Sequence, residues 1–187
     1  MGILGMGEEE FICRVGTYKR VWYRIAFGYL GSETLALDAV DEAVYQGFLH
    51  RWQLRQPEFF ETWMTRILIR VCQKALKHSQ RVISLEQADG RKEGEAHTPI
   101  REEGKGLAGK QGTLGNPGAD EMFLRMAVDN LEDIYKKVIS LRYFGGYTIA
   151  ETAAILDIPE GTVATRTKKA LSLLRLELEE KGGNENG

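Results

Sequence analysis

The residues of this chain whose types and spacing could do chemistry are cations. Arg66, Arg70, Lys74, Lys77 and Arg81 follow one another at intervals of four, four, three and four, the spacing of a single helix face. No Asp or Glu lies between Glu61 and Glu86. Like charges four apart weaken an isolated helix by roughly 0.2–0.5 kcal/mol per pair, so an unrelieved stripe points to an anionic partner that offsets the repulsion. A second acid-free stretch, from Glu160 to Glu177, carries Thr162, Thr165, Arg166, Lys168 and Lys169. Hydroxyl and guanidinium groups there can reach base edges while the lysines meet phosphates. The chemistry is reversible binding of a polyanion; a solvated basic helix in an ordinary bundle is the plain alternative.

Covalent chemistry lacks its parts. Cys13 and Cys72 form no CxxC pair, and His50, His78 and His97 stand at no ligand-like spacing. The sequence has no paired carboxylates beside a nucleophile and no phosphate-cradling glycine loop leading into a helix. The expectation is therefore no enzyme, no metal site, no cofactor and no small-molecule substrate, with both cysteines as reduced thiols in helical segments.

The second basic stretch must be positioned by what precedes it. Ile149, Ala153 and Leu156 recur at helical spacing, with Thr148 as N-cap and Glu151 completing a capping box. Asp157-Ile158-Pro159-Glu160-Gly161 then breaks the chain, because Asp tolerates a left-handed turn and Pro fits the first turn of a following helix. Ala153 is small where two helices must cross, and Ile158 and Val163 can plug the gap between them. Tyr147 to Leu176 thus reads as a helix-turn-helix, whose second helix enters the major groove.

The first basic stripe has its own scaffold. Val15, Tyr18, Trp22, Ile25 and Tyr29 make a core stripe on a helix from Glu9 to Leu30, which Gly31-Ser32 ends. Ser32 caps a second helix running through Leu35, Ala39, Glu42 and Ala43 to Phe48, with Asp38, Asp41 and Glu42 on its other face. Residues His50 to Phe60 form a loop broken by Pro57; Phe59 and Phe60 either flank a ligand or anchor the next helix in the core. That helix runs from Glu58 to about Gln80, with Trp63, Ile67, Val71 and Ala75, and Met64, Leu68 and Cys72 beside them, opposite the cations.

From Ser79 to Ala119 glycines recur with charges of both signs, the composition of a flexible linker. Val82-Ile83-Ser84-Leu85 either docks on a partner or extends the preceding helix. A short helix over Asp120 to Asp129 follows, then one capped by Asn130 with Leu131, Ile134, Val138 and Leu141 as its apolar stripe and Gly145-Gly146 as its stop. The fold class is all-α: an N-terminal helical domain over 1–80, a linker over 81–119, a three- to four-helix DNA-binding domain over 120–180 and a disordered tail over 181–187.

The net charge of −2 provides no global attraction to nucleic acid, so binding must come from local patches. No run of about 18 apolar residues occurs, and Met1 to Glu10 does not read as a secretory signal. A cytoplasmic location is expected.

The segment LEDIYKKVISLRYFGGYTIAETAAILDIPEGTVATRTKKALSLLR resembles the C-terminal DNA-binding region of bacterial sigma factors of the extracytoplasmic-function group. The resemblance rests on Leu141-Arg142-Tyr143, Ala153 to Leu156, Pro159-Glu160-Gly161-Thr162-Val163, Arg166 and Ala170-Leu171, while Asp157, Ala164 and Thr167 depart from the usual pattern. It extends to Phe60, Trp63, Met64, Arg66 and Ile67, which match the family's F-x-x-W-L-x-R-I, and to the acidic segment from Asp38 to Val44. It covers about Thr17 to Gln80 and Asp120 to Leu178. The resemblance implies an alternative sigma factor that binds core RNA polymerase and directs promoter recognition. Duplex at a minus-thirty-five element would meet Thr148, Glu160, Thr162, Val163, Thr165, Arg166, Lys168 and Lys169. The minus-ten region would meet Arg51, Trp52, Leu54, Arg55, Arg66, Arg70, Lys74 and Lys77, with aromatic and apolar groups of the loop receiving an unstacked base. Polymerase would meet Asp38, Asp41, Glu42 and Tyr45. Members of the group are commonly held by an anti-sigma factor, often membrane-anchored. A polymerase-independent regulator with the same helix-turn-helix is the other reading.

Overall fold

A computed structural model describes residues 5–89 and 125–182, with side chains described outside 79–89 and 180–182. Residues 90–119 of the expected linker, 120–124 of the expected short helix and the expected tail over 183–187 therefore lie outside the described part. All regular elements among the described residues are helical.

Three helices make the N-terminal half. α1 spans Glu8–Leu30 and is stopped by Gly31 in the left-handed region at φ 68°. Ser32 then caps α2, Glu33–His50, its hydroxyl accepting from the Leu35 N–H at 3.4 Å. Short 3-10 turns at Arg51–Gln53 and Pro57–Phe59 lead into α3, Phe60–Asp89. α3 is thus longer than its expected end near Gln80, and Val82 to Leu85 continue it. The core is aromatic: Phe11, Trp22, Tyr29 and Phe60 are fully buried beside Ile25, Met64 and Leu68. Phe60 packs edge-on to Phe11 at 5.5 Å and tilted to Trp22 at 6.0 Å between ring centroids.

The C-terminal half begins with a helical turn, α4, over residues 125–129. α5, Asp133–Ile139, continues into a π-helical turn, Ser140–Phe144, before α6, Ile149–Leu156, and α7, Glu160–Gly182. The N-cap of α5 is Glu132, not Asn130 as expected: the Asn130 N–H still bonds back to the Met126 carbonyl, and its side-chain amide is held by Glu177 of α7. The apolar stripe is also incomplete, since Leu131, Val138 and Leu141 are buried whereas Ile134 is 38% exposed.

Ala127, Val128, Leu131, Ile139, Ala170 and Leu174 pack one cluster; Val138, Ala153 and Val163 pack a second. Leu141, Tyr147 and Ile155 instead join the core of the N-terminal half. That explains why α6 buries Thr152 and Ile155 in addition to Ala153: it serves two neighbours, α7 and α3, where the sequence showed the stripe for one.

Candidate nucleic-acid interface

The helix-turn-helix is built by local chemistry. The Thr148 hydroxyl accepts from the Glu151 N–H at 3.2 Å, and the Glu151 carboxylate accepts from the Thr148 N–H at 2.7 Å. These bonds hold the Glu151 carboxyl below its ordinary value. Because the folded group binds its proton less tightly than the unfolded one, the reciprocal bond contributes above the unfolded value and is lost as pH falls through the folded value. Thr148→Ala is expected to cost about 1 kcal/mol in urea denaturation at neutral pH, with a smaller difference in acid; equal losses at both pH values would detach the carboxylate from the cap.

Asp157 occupies the left-handed region at φ 55°, ψ 50°, and its turn sends the chain into α7. Ala153, Val138 and Val163 meet at the crossing, with Ile149, Leu156 and Ile158 around them. Val163 is 0% exposed, so it sets the angle of α7 and cannot touch DNA, which removes it from the expected contact set. Glu160, Thr165, Lys168 and Lys169 are exposed, as is Thr148, while Thr162 and Arg166 are half-buried. The Thr165 hydroxyl donates to the Gly161 carbonyl at 2.8 Å, which leaves its lone pairs as acceptors. One face of α7 therefore presents hydroxyls and cations together.

On α3, Arg70, Lys74 and Lys77 are exposed, and none is in an ion pair among the described residues. Arg66 is half-buried and donates through Nη2 to the Ala154 carbonyl of α6. Met64, Leu68 and Cys72 are buried, and burial pushes the Cys72 thiol up to about 12. Trp63 is only partly buried. It stands three residues before Arg66 and seven before Arg70, so it shares their face rather than opposing it. The sequence carried that signal in the spacing, while the ring still packs against the N-terminal core as its aromatic character suggested.

The loop divides its residues. Trp52 is 57% exposed, with its indole N–H tied to the Leu49 carbonyl at 3.1 Å, and Arg55 is exposed. Arg51 lies 4.1 Å over the Phe48 ring and donates to the Phe48 carbonyl at 2.8 Å. Leu54 is 7% exposed and belongs to the core, so its expected place beside an unstacked base does not hold. Phe60 is likewise core, whereas Phe59 is 53% exposed.

On α2, Asp38, Asp41 and Glu42 are exposed, and Tyr45 is 59% exposed. Asp41 pairs with Lys19 at 3.0 Å. Leu37 and Leu49, exposed by 47% and 46%, extend the Asp41–Tyr45 line at intervals of four. This ridge of apolar and acidic groups was missed because exposed leucines cannot be told from core ones by type.

A basic recognition helix set by a left-handed Asp, beside a helical unit with a cationic stripe and an acidic, apolar ridge, defines a two-part helical DNA-binding protein. The sigma-70 region 2 model matches residues 15–82 and the sigma-70 region 4 model residues 124–174. RNA polymerase sigma factor SigV of Bacillus subtilis (strain 168) is 26% identical over 167 residues, covering 86% of each chain. ECF RNA polymerase sigma factor SigW of the same organism is 24% identical over 176 residues, covering 91% of this chain and 90% of that one. The solved sigma factor RpoE of Bartonella quintana, in complex with the anti-sigma factor NepR, shares the fold with a TM-score of 0.67 at 16% identity, over 91% of this chain and 98% of that one.

The chain belongs to the sigma-70 family, in its extracytoplasmic-function group: an alternative sigma factor, which binds core RNA polymerase and directs promoter recognition. The polymerase-independent regulator is not favoured, because the match to region 2, over residues 15–82, covers most of the scaffold of the first basic stripe.

Proposed function

We propose that the two halves divide the promoter between them. Residues 1–80, extended by α3 to Asp89, form the polymerase-binding and minus-ten unit; 120–180 form the minus-thirty-five unit; and the intervening stretch tethers them. The minus-thirty-five duplex is read through Thr162, Thr165 and Arg166, with Lys168 and Lys169 on phosphates and Thr148 and Glu160 at the edge of the contact. The minus-ten strand is engaged by Arg51, Trp52 and Arg55 in the loop and by Arg66, Arg70, Lys74 and Lys77 on α3, with Trp63 among them as a stacking surface. Asp38, Asp41, Glu42 and Tyr45, flanked by Leu37 and Leu49, form the ridge offered to core polymerase. The observation that carries this reading is the exposed cationic row on α3, an element outside the helix-turn-helix that a duplex reader alone would not need.

The protein performs no covalent chemistry itself and works in the cytoplasm, where polymerase and promoter are. No described helix is long and apolar enough to cross a membrane. An anti-sigma factor, membrane-anchored in many systems, is the proposed inhibitor; a sigma factor of the same fold has been solved with one bound.

Run-off transcription with purified bacterial core polymerase on promoter fragments of the source genome is the test. Defined transcripts that require the protein are expected; failure to direct initiation at any promoter would refute the assignment.

A further inference from the structure

The two halves meet along a seam. In one part of it the fully buried Thr65 hydroxyl of α3 receives the Trp22 indole N–H at 3.2 Å and is bonded to the Tyr147 hydroxyl at 3.1 Å. Elsewhere the packing is incomplete: a cleft of about 180 Å³ lies where the last turn of α1, with Phe27 and Gly28, faces Val128 and Phe144 of the second half. Arg125 and Asp129 are the charged groups on its wall.

The cleft exists because the end of α1 is bare. A Cβ on Gly28 would stand 2.5 Å from the Phe144 ring, and one on Gly31, at φ 68°, would stand 2.7 Å from both Asp129 carboxylate oxygens. Phe144 and Asp129 thus come against backbone, and no side chain of α1 is present there to fill the volume beside them. Voids larger than a water molecule are few in protein interiors, so one of this size calls for an occupant.

Its size and chemistry select that occupant. Water is a poor one, because it needs about two to four polar partners and the wall is apolar except at Arg125 and Asp129. An engineered apolar cavity of about 150 Å³ takes up benzene, whereas sites for drug-sized ligands run from about 300 Å³ upward. The volume therefore suits one ring or two fused rings. Charge narrows the choice further. The Arg125 guanidinium lies 4.3 Å over the Phe27 ring and donates to the Gly31 carbonyl at 2.6 Å, so the cation position over that ring is taken and a second cation is repelled. The Asp129 carboxylate repels an anion in the same way. Among the described residues that carboxylate accepts no side-chain hydrogen bond, and its ion pair with Lys136 is 4.0 Å long, so it keeps acceptor capacity at the cleft.

We propose that this cleft is a binding site for a small neutral aromatic molecule carrying an N–H or O–H donor, with its ring against Phe27, Val128 and Phe144 and its donor on Asp129. The occupant touches both halves at once, so its binding is coupled to any change in their spacing. A sigma factor built in this way answers to a small molecule as well as to its protein partners. The inference goes beyond the promoter reading and does not need it.

Indole, planar and neutral with one N–H donor, is the probe, and amide shifts of the full-length isotope-labelled chain are the readout. Saturable shifts at Gly28, Gly31, Val128 and Asp129 are expected, with a Kd of about 1 mM or tighter. The donor-less 1-methylindole should bind at least about fivefold more weakly, as should benzoate and benzylammonium. Asp129→Ala, at a side chain 46% exposed, should bring indole down to the affinity of 1-methylindole. Val128→Phe, which puts a ring into the cleft, should abolish binding. Circular dichroism verifies that helicity is retained, and Asp129→Ala decides the matter if Val128→Phe fails to fold. The site is overturned if no shift saturates below about 5 mM indole, which would make the cleft a packing gap only, or if saturation occurs at other residues. It is equally overturned if 1-methylindole or either charged ring binds as tightly as indole, or if Asp129→Ala leaves indole affinity unchanged. Run-off transcription decides the sigma-factor function separately, since indole binding is measured on the free chain.

Discussion

Phe60→Ala is expected to destabilise the N-terminal half by about 3–5 kcal/mol, the cost of deleting a fully buried ring and leaving a cavity. Phe60 is 0% exposed and packs against Phe11, Tyr18 and Trp22, with the Arg14 guanidinium 5.7 Å from its ring. Few relaxations can fill that space, because its neighbours sit on helices already fixed by the rest of the core. Its chain neighbour Phe59 is 53% exposed, and Phe59→Ala is expected to change stability by no more than about 0.5 kcal/mol. Urea denaturation followed by tryptophan fluorescence measures both, since Trp22 lies 6.0 Å from Phe60. Equal losses in the two variants would reverse the roles given to these residues.

Replacing Arg70, Lys74 and Lys77 together by alanine is expected to flatten the salt dependence of single-stranded DNA binding by about 2 units of slope, because each phosphate left without its cation removes about 0.7. All three are exposed, so the fold should be unaffected, and relief of like-charge repulsion on α3 should if anything favour the helix slightly. Fluorescence anisotropy with a labelled oligonucleotide across a salt series reads the slope. An unchanged slope would show that these cations do not meet phosphates.

Most of the fold was legible in the sequence because local signals and packing agree. Gly31, Ser32, Thr148 with Glu151, and Asp157 each stand where the structure turns or caps a helix. Two kinds of information were not legible. Val163 and Leu54 lie within segments whose chemistry suits DNA, yet burial decides against them, and burial depends on partners remote in the chain. The second kind is the seam. Thr65 and Tyr147 are 82 positions apart, and nothing in the period of either helix announces that a threonine hydroxyl will sit between an indole and a phenol. The same missing information made Asn130 a plausible cap, since the sequence does not show that Glu177 claims its amide.

The unbroken run of α3 from Phe60 to Asp89 has a mechanical consequence. Its 30 residues make a rod about 45 Å long, held in the core through Phe60, Met64, Leu68 and Cys72. The connecting chain therefore departs from the tip of this mast, about 25 Å along the helix axis beyond Cys72. The local concentration of the helix-turn-helix around any DNA seized by α3 is then set by where the mast points as much as by the length of the tether. A kink beyond Lys77 would redirect that search volume without altering the contacts proposed for Arg66 to Lys77.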